Sequence, residues 1–304
     1  MKYKQIDVSK KIIKLDPPSY PLLTLLKYPI NGDINLKCKE VHNTTFGWAE
    51  QNMGENSEII FKENSLQIFR NNFQTEYGEI RGQVIKDCNY AAIQHLISIE
   101  AALWMGEADR CKTCGKINKP KRMEVRHTDG IFSFLKDRII KLKKHFSKKE
   151  FYQFLCEGLR MGSESKYLFV DKETFKYLND KILENKKIIK KIGLNIISSY
   201  FNMPNCQNMT IYIIYEPFLK DYMCLLDLKN INYCYLSNRD TLLCKNYVFP
   251  RSKWKDNTTV KEGSSFKDNL ENIEQAELMS THYYLTECGL QLMLPGNHLI
   301  AKLN

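Results

Sequence analysis

GEIRGQVIKDCNYAAIQHLISIEAALWMG, residues 78–106, is the stretch on which the fold turns. Within it Ile85, Cys88, Ala92, Leu96, Ile99 and Leu103 recur at spacings of three and four, so they share one stripe of a helix. At 1.5 Å per residue a helix over 83–105 is about 35 Å long. Gly106 is a natural stop, because glycine takes the backbone conformations that end a helix.

Upstream, residues 41–82 hold short strand-like runs broken by Gly and Asn: NTTFGWAE, EIIFKENSLQIF and NFQTEYGEIRG. They read as one long β-hairpin with little core of its own. A lone hairpin is marginal in water, so this one needs something to rest on. Residues 1–40 read as an extended arm. Lys2, Lys4, Lys10, Lys11 and Lys14 crowd its start, and the four prolines of DPPSYPLLTLLKYP suppress regular structure. Leu22, Leu23, Leu25 and Leu26 are too apolar for a free tail and require a surface in this chain or a neighbour.

Downstream, 107–130 is a polar loop rich in Lys and Arg. A second helix is expected over 131–146, with Ile131, Leu135, Ile139, Leu142 and Phe146 on one face. Ser147 and Glu150 form a capping box for a third over 148–160. KYLFVD is a buried strand, Asp171 caps a helix near 172–182, and the lysine-rich run 186–191 leads into the strand LNIISSYF. From residue 209 onward strands dominate: MTIYIIY, MCLLDL, INYCYL, TLLCKNYVF, HYYLTECGLQLML and HLIAKL. The expected class is α+β, a compact body with two protruding elements.

The 304 residues are 43% hydrophobic and 12% aromatic, with 14 Gly and 9 Pro, which excludes wholesale disorder and collagen-like classes. The longest uncharged window, Ile192 to Tyr215, contains Pro204 and several Asn. It reads as two strands and a turn, and not as a membrane span. The start MKYKQIDVSKK lacks the apolar block of a signal peptide, so the ten cysteines are expected to be reduced thiols. The net charge of +10 lies in the front part. Residues 1–215 carry 35 basic and 24 acidic side chains, and the remainder 10 and 11. Such a surplus suits a polyanion, or else solvated lysine-rich faces.

Signals for catalysis are thin. Cys111-Lys-Thr-Cys114 has the spacing of half a zinc knuckle, but tetrahedral zinc takes four ligands and there is no second Cys-x-x-Cys. His127 is the nearest spare ligand, and a chance pair of loop thiols is the plainer reading. None of His42, His95, His127, His145, His282 and His298 sits in a catalytic signature, and His282 and His298 read as packed strand residues. No phosphate-binding glycine loop is present. Nothing pairs Glu76, Glu79 and Glu100 as an acid/base set.

Four stretches together resemble the major capsid proteins of tailed bacteriophages, the Hong Kong 97-type fold. NTTFGWAEQ (43–51) and the run to Phe73 resemble the entry to the extended hairpin loop (E-loop). The 78–106 stretch resembles the spine helix, with its Glu100, Leu-Trp pair and glycine. Gly130-Ile131 and YLFVDKETFKYLND (167–180) resemble the axial domain, and AELMSTHYYLTECGLQLMLPGNHLIAKL (276–303) the closing strands of the peripheral domain.

The resemblance implies an N-terminal arm over 1–40, the extended hairpin loop over 41–82, and a peripheral domain with spine helix and variable loop over 83–130. A mainly axial α/β domain over 131–230 then follows, with its return and the peripheral strands over 231–304. It also implies a non-enzymatic subunit, without cofactor or metal, that self-assembles as hexamers and pentamers into an icosahedral or elongated head. That head is a virion capsid assembled in the bacterial host cytoplasm around double-stranded DNA, with portal and scaffolding or decoration proteins as further partners. Phe46, Trp48, Phe61, Phe69 and Phe73 are the expected intersubunit anchors of the hairpin, since aromatics often dominate interfaces. Lys2, Lys4, Lys10, Lys11 and Lys14 are the expected DNA-facing residues. No self-catalysed cross-link is expected, because no motif singles out Lys37 or Lys62. Two rivals stand beside this reading. One is an encapsulin-like compartment shell, and the other a nucleic-acid-binding enzyme with a Cys111/Cys114 zinc loop.

Overall fold

The computed structural model describes residues 20–27, 38–51, 59–76, 81–109, 126–183, 187–192, 196–202, 209–237, 239–240, 245–250 and 278–304. The lysines at positions 2 to 14, Lys37, Glu79, Cys111 and Cys114 lie outside the described residues.

The long helix (α2) runs from Arg81 to Met105, two residues earlier than its stripe suggests. Its last turns are buried through Ile99, Leu103 and Trp104. Gly106 closes it, donating its N–H to Ala102 O at 2.9 Å. The returning chain crosses this end, with Gly130 N bonded to Gly106 O at 2.8 Å. A Cβ on Gly130 would lie 2.7 Å from the Trp104 carbonyl, which is backbone and cannot swing aside. Gly130→Ala is therefore expected to destabilise the fold by about 1–3 kcal/mol, read as a lower urea midpoint with an unchanged slope.

Two sheets share the core. The first holds five strands: β1 (Cys38–Val41), β4 (Gln67–Glu76), β11 (Ile231–Leu236), β12 (Lys245–Pro250) and β13 (Leu278–Leu292). β13 is its centre. β4 runs antiparallel along one side, Cys288 opposite Gln67 through Met279 opposite Glu76, while β11 and β12 share the other side. β1 lies parallel to β11 at the edge.

The second sheet has seven strands in the order β5 (Ile139–Leu142), β14 (Leu299–Leu303), β10 (Tyr222–Leu226), β6 (Ser165–Val170), β9 (Thr210–Tyr215), β8 (Ile196–Asn202) and β7 (Lys187–Ile192). β6, β9 and β10 are nearly continuous apolar runs, as central strands covered on both faces must be. Alternation divides their side chains. Leu168, Val170, Ile211, Ile213, Met223 and Leu225 face the helix α4 (Lys148–Gly158) and its surroundings. Tyr167, Phe169, Tyr212, Ile214, Cys224 and Leu226 face the spine helix and the first sheet. That second face joins the two sheets into one body.

The capping expectations hold in detail. Ser147 Oγ accepts from Glu150 N at 3.2 Å while Glu150 Oε2 accepts from Ser147 N at 2.7 Å. Asp171 accepts from Thr174 N at 2.7 Å and opens α5 (Lys172–Tyr177), which continues as a wider π-type turn to Ile182. The window from Ile192 to Tyr215 contains β8 and β9, paired antiparallel.

Three expectations are corrected. The helix over 131–146 is a single turn, α3 (Ile131–Phe134), followed by β5, because Ile139 to Leu142 pair in parallel with Ile300 to Leu303. The arm over 1–40 is not all extended. Pro21–Lys27 is a helix (α1), with Leu22, Leu23, Leu25 and Leu26 at 2% exposure or less against the spine helix, and Cys38–Val41 is a body strand. The region 41–82 is not one hairpin. Its third run, β4, leaves the hairpin to pair with β13. The closing strands divide between the two sheets. β13 belongs to the first sheet and β14 to the second.

Candidate functional site

The protruding element that remains is the hairpin of β2 (Thr45–Gln51) and β3 (Ile59–Ser65), paired from Thr45–Ser65 outward to Gln51–Ile59. These two strands form a sheet of their own among the described residues.

Its base is fixed to the body through Asn64, which is fully buried. Asn64 Nδ2 donates to Leu290 O at 2.7 Å and to Thr128 Oγ1 at 3.2 Å, and its Oδ1 accepts from Asp129 N and Ser65 N, each at 2.9 Å. Ser65 Oγ donates to His127 O, and Leu66 N to Thr44 O at 2.8 Å. One asparagine thus joins hairpin, returning loop and β13, with both amide protons and the carbonyl oxygen satisfied. The loop itself is held by Arg126, whose guanidinium lies 2.6 Å from the buried Glu287 carboxylate, and Arg239 reaches the other oxygen at 3.1 Å. Glu287 is 1% exposed, so its two arginines supply the compensation that a buried charge requires.

Phe46 packs in the small cluster of Val41, Leu66 and Cys234 at this base. Farther out, Trp48 stands opposite Lys62 and Phe61 opposite Ala49 in the backbone register. The side chains of Trp48, Phe61, Phe73 and Lys62 lie outside the described part. Phe69 and Phe73 are on β4 and not on the hairpin. Phe69 is 6% exposed within the chain's own core, which corrects its expected place among the hairpin anchors. Of the five aromatics, the structure brings Phe46, Trp48 and Phe61 onto one protruding ribbon. Among the described residues no group of three or more His, Cys, Asp or Glu is placed to hold a metal. No described helix is long and apolar enough to cross a membrane.

A second cluster lies in the core beneath α1. Glu100 and Glu216 are both completely buried. Glu100 Oε1 accepts from Leu22 N at 2.8 Å and from Trp104 Nε1 at 3.2 Å, and its Oε2 accepts from Leu23 N at 2.7 Å. Glu216 Oε1 accepts from Phe218 N at 3.1 Å. Glu216 Oε2 has no donor, and the Glu216 carboxyl lies beside that of Glu100. Burial pushes the Glu216 carboxyl well above its ordinary 4.5, and the neighbouring Glu100 charge pushes it further. Burial raises Glu100 as well, opposed by hydrogen bonds from Glu216, Leu23, Leu22 and Trp104. Two buried carboxyls in contact cannot both ionise. At least one of the two therefore keeps its proton in the folded chain.

The sequence reading left Glu100 unpaired because Glu216 is 116 positions away. A faint signal existed. Glu100 sits beside Ile99 on the apolar stripe, and Glu216 directly follows the apolar strand TIYIIY. Two of the histidines, His95 and His298, are held in the core. His95 bonds Asn71 and Thr286, each at 2.8 Å, and His298 accepts from Asp227 N at 3.1 Å. Burial lowers both imidazoles to about 4, so they are neutral at pH 7.

No family model matches the chain. A local similarity, 30% identical over 101 residues, links it to the β′ subunit of DNA-directed RNA polymerase from Physcomitrium patens. It covers 33% of this chain and 14% of that subunit, well under two thirds of its length. Among solved structures, the holo-SrpI encapsulin complex of Synechococcus elongatus PCC 7942 superposes with a TM-score of 0.52 at 9% identity, covering 99% of this chain and 96% of that one. The virus-like particle from Pyrococcus furiosus gives 0.50 at 9% identity, over 87% and 88%. Mycobacterium phage Patience gives 0.45 at 10% identity, over 87% and 81%. At such identities the likeness is one of fold.

Proposed function

We propose that this chain, which has the Hong Kong 97-type fold, is a capsid-forming shell subunit, and specifically the major capsid protein of a tailed-phage head enclosing double-stranded DNA. One observation carries the reading. On a fold shared with a virus-like particle and an encapsulin, a hairpin is pinned to the body at Asn64 and pairs only with itself beyond that point among the described residues. A two-stranded ribbon in water is marginal, and a neighbouring subunit gives it the apolar contact its own body does not supply. Many copies joined by contacts whose rotations close make a shell.

Function then follows from packing and not from chemistry. The outer hairpin aromatics Trp48 and Phe61 lie against the next subunit, while Phe46 seats the base of the hairpin in its own chain, and the subunits assemble in the host bacterial cytoplasm into the virion capsid. The basic surplus of residues 1–215, including Lys2, Lys4, Lys10, Lys11 and Lys14, faces DNA through sequence-independent, salt-sensitive contacts. Portal and scaffolding or decoration proteins complete the set of partners.

The encapsulin-like shell is the second reading, favoured by the SrpI similarity, which spans nearly the whole of both chains. Purified chain, sized at near-physiological salt and viewed by electron microscopy, is expected to give shells, tubes, or rings of five or six. A monomer that stays monomeric with a crowding agent and with co-expressed scaffold overturns both shell readings. Particles that co-purify with a protein cargo and exclude DNA favour the compartment. Particles that package DNA favour the phage head.

A further inference from the structure

The Glu100–Glu216 pair lies where α1 meets the spine helix, and it does more than fill space. Leu22 N and Leu23 N belong to the first turn of α1, whose N–H groups have no partner within the helix. Both donate to the two oxygens of a single carboxylate. That carboxylate is in turn bonded by Trp104 of its own helix and faces Glu216 at the end of β9 (Thr210–Tyr215). Three separate parts of the chain thus converge on one buried pair of carboxyls.

We propose that Glu100 and Glu216 form a proton-sharing clasp that docks α1 on the spine helix and releases it when the shared proton leaves. The proposal stands on the geometry of the single chain and does not depend on the shell reading.

Among the described residues the surroundings supply no alternative counter-charge. On α1 and the residue before it, Tyr20 is a neutral phenol pushed to about 12 by burial and the Glu100 charge, and Lys27, at the other end, is paired with Asp240 at 2.7 Å. On the spine helix Trp104 donates to Glu100, and the His95 ring is occupied by Asn71 and Thr286. On β10 Cys224 is a buried thiol pushed up by burial and by Glu216. No lysine, arginine or histidine among the described residues is ion-paired with either carboxyl. Loss of the proton therefore leaves two like charges in an apolar core.

The sign follows from linkage. Glu216 titrates higher in the docked state than its ordinary 4.5, so docking is fully supported below that value. The support is lost as pH rises through the raised value. Release of α1 frees the junction between the body and the stretch that precedes it, while the sheets retain their own packing.

Hydrogen–deuterium exchange of the unassembled full chain, corrected for intrinsic rates, reads this directly at the Leu22 and Leu23 amides. Their protection is expected to fall about tenfold per pH unit once the proton leaves, while Leu168 and Phe169 in β6 stay protected. Glu216→Gln keeps a neutral donor facing Glu100, and is expected to hold Leu22 and Leu23 protected to the highest pH at which β6 stays folded. Glu100→Gln removes the charged acceptor and is expected to lower their protection at every pH. A wild-type profile that stays flat until β6 itself opens overturns the clasp, and that profile decides even if neither variant folds. A Glu216→Gln profile with the wild-type slope overturns it equally.

Discussion

Trp104→Ala is expected to cost about 3–5 kcal/mol of stability, the largest effect of any single substitution considered for this chain. Trp104 is completely buried. Its ring meets Phe169 of the central strand β6 edge-on at 5.3 Å between centroids, and Phe132 at 6.5 Å. Phe132 in turn meets Tyr222 edge-on at 4.9 Å, so the indole is the wedge between spine helix, seven-stranded sheet and returning loop. The indole N–H also supplies one of the bonds that oppose the burial-driven rise of the Glu100 carboxyl. Truncation leaves a cavity that the sheet, fixed by strands on both sides, cannot close, and it removes a donor from a buried carboxylate. The two losses separate experimentally. Trp104→Phe keeps most ring contacts and removes the donor, and is expected to cost about 1–3 kcal/mol. Urea unfolding of the unassembled subunit measures both. A Trp104→Ala midpoint within the error of wild type would show that the core is not organised around this residue.

The same residues show what could be read from the sequence. The spine helix was legible because Ile85 to Leu103 repeat at helical spacing for about five turns, longer than any strand alternative allows. The second helix was misread because Ile131, Leu135, Ile139 and Leu142 satisfy the same spacing over a short span. What decides them is β14, more than 150 residues away, which takes Ile139 to Leu142 as an edge strand. α1 was hidden by its prolines. Pro21 stands at the first position of the helix, where the missing N–H breaks no bond and the fixed φ already suits the turn. β4 follows the hairpin through Leu66, and only the tertiary pairing of Gln67–Glu76 with Met279–Cys288 separates them. The base of the hairpin was invisible for a related reason. Asn64 is an ordinary turn residue until Leu290, Thr128 and Asp129 are brought around it. The carboxyl pair needed two positions 116 apart, which no local pattern connects.

Shortening the hairpin is expected to abolish assembly while leaving the subunit folded. Replacing residues 49–61 by Asn-Gly joins Trp48 to Lys62, which already stand opposite each other. Asn-Gly is the two-residue turn whose twist matches antiparallel strands. The cut keeps every body contact described above, since Phe46, Asn64 and Ser65 lie on the base side of it. If the outer ribbon served only this chain, stability would fall and the oligomeric state would be indifferent to its loss. If it lies on a neighbour, each copy in a closed shell loses one such contact, and the losses repeat around every ring. The expected outcome is a monodisperse subunit by gel filtration, with an unfolding midpoint near that of unassembled wild type and no particles by electron microscopy. Particles of wild-type size from the shortened chain would place the assembly contacts elsewhere on the body, with β1 and β5, the outermost strands at one end of each sheet among the described residues, as the next surfaces to test.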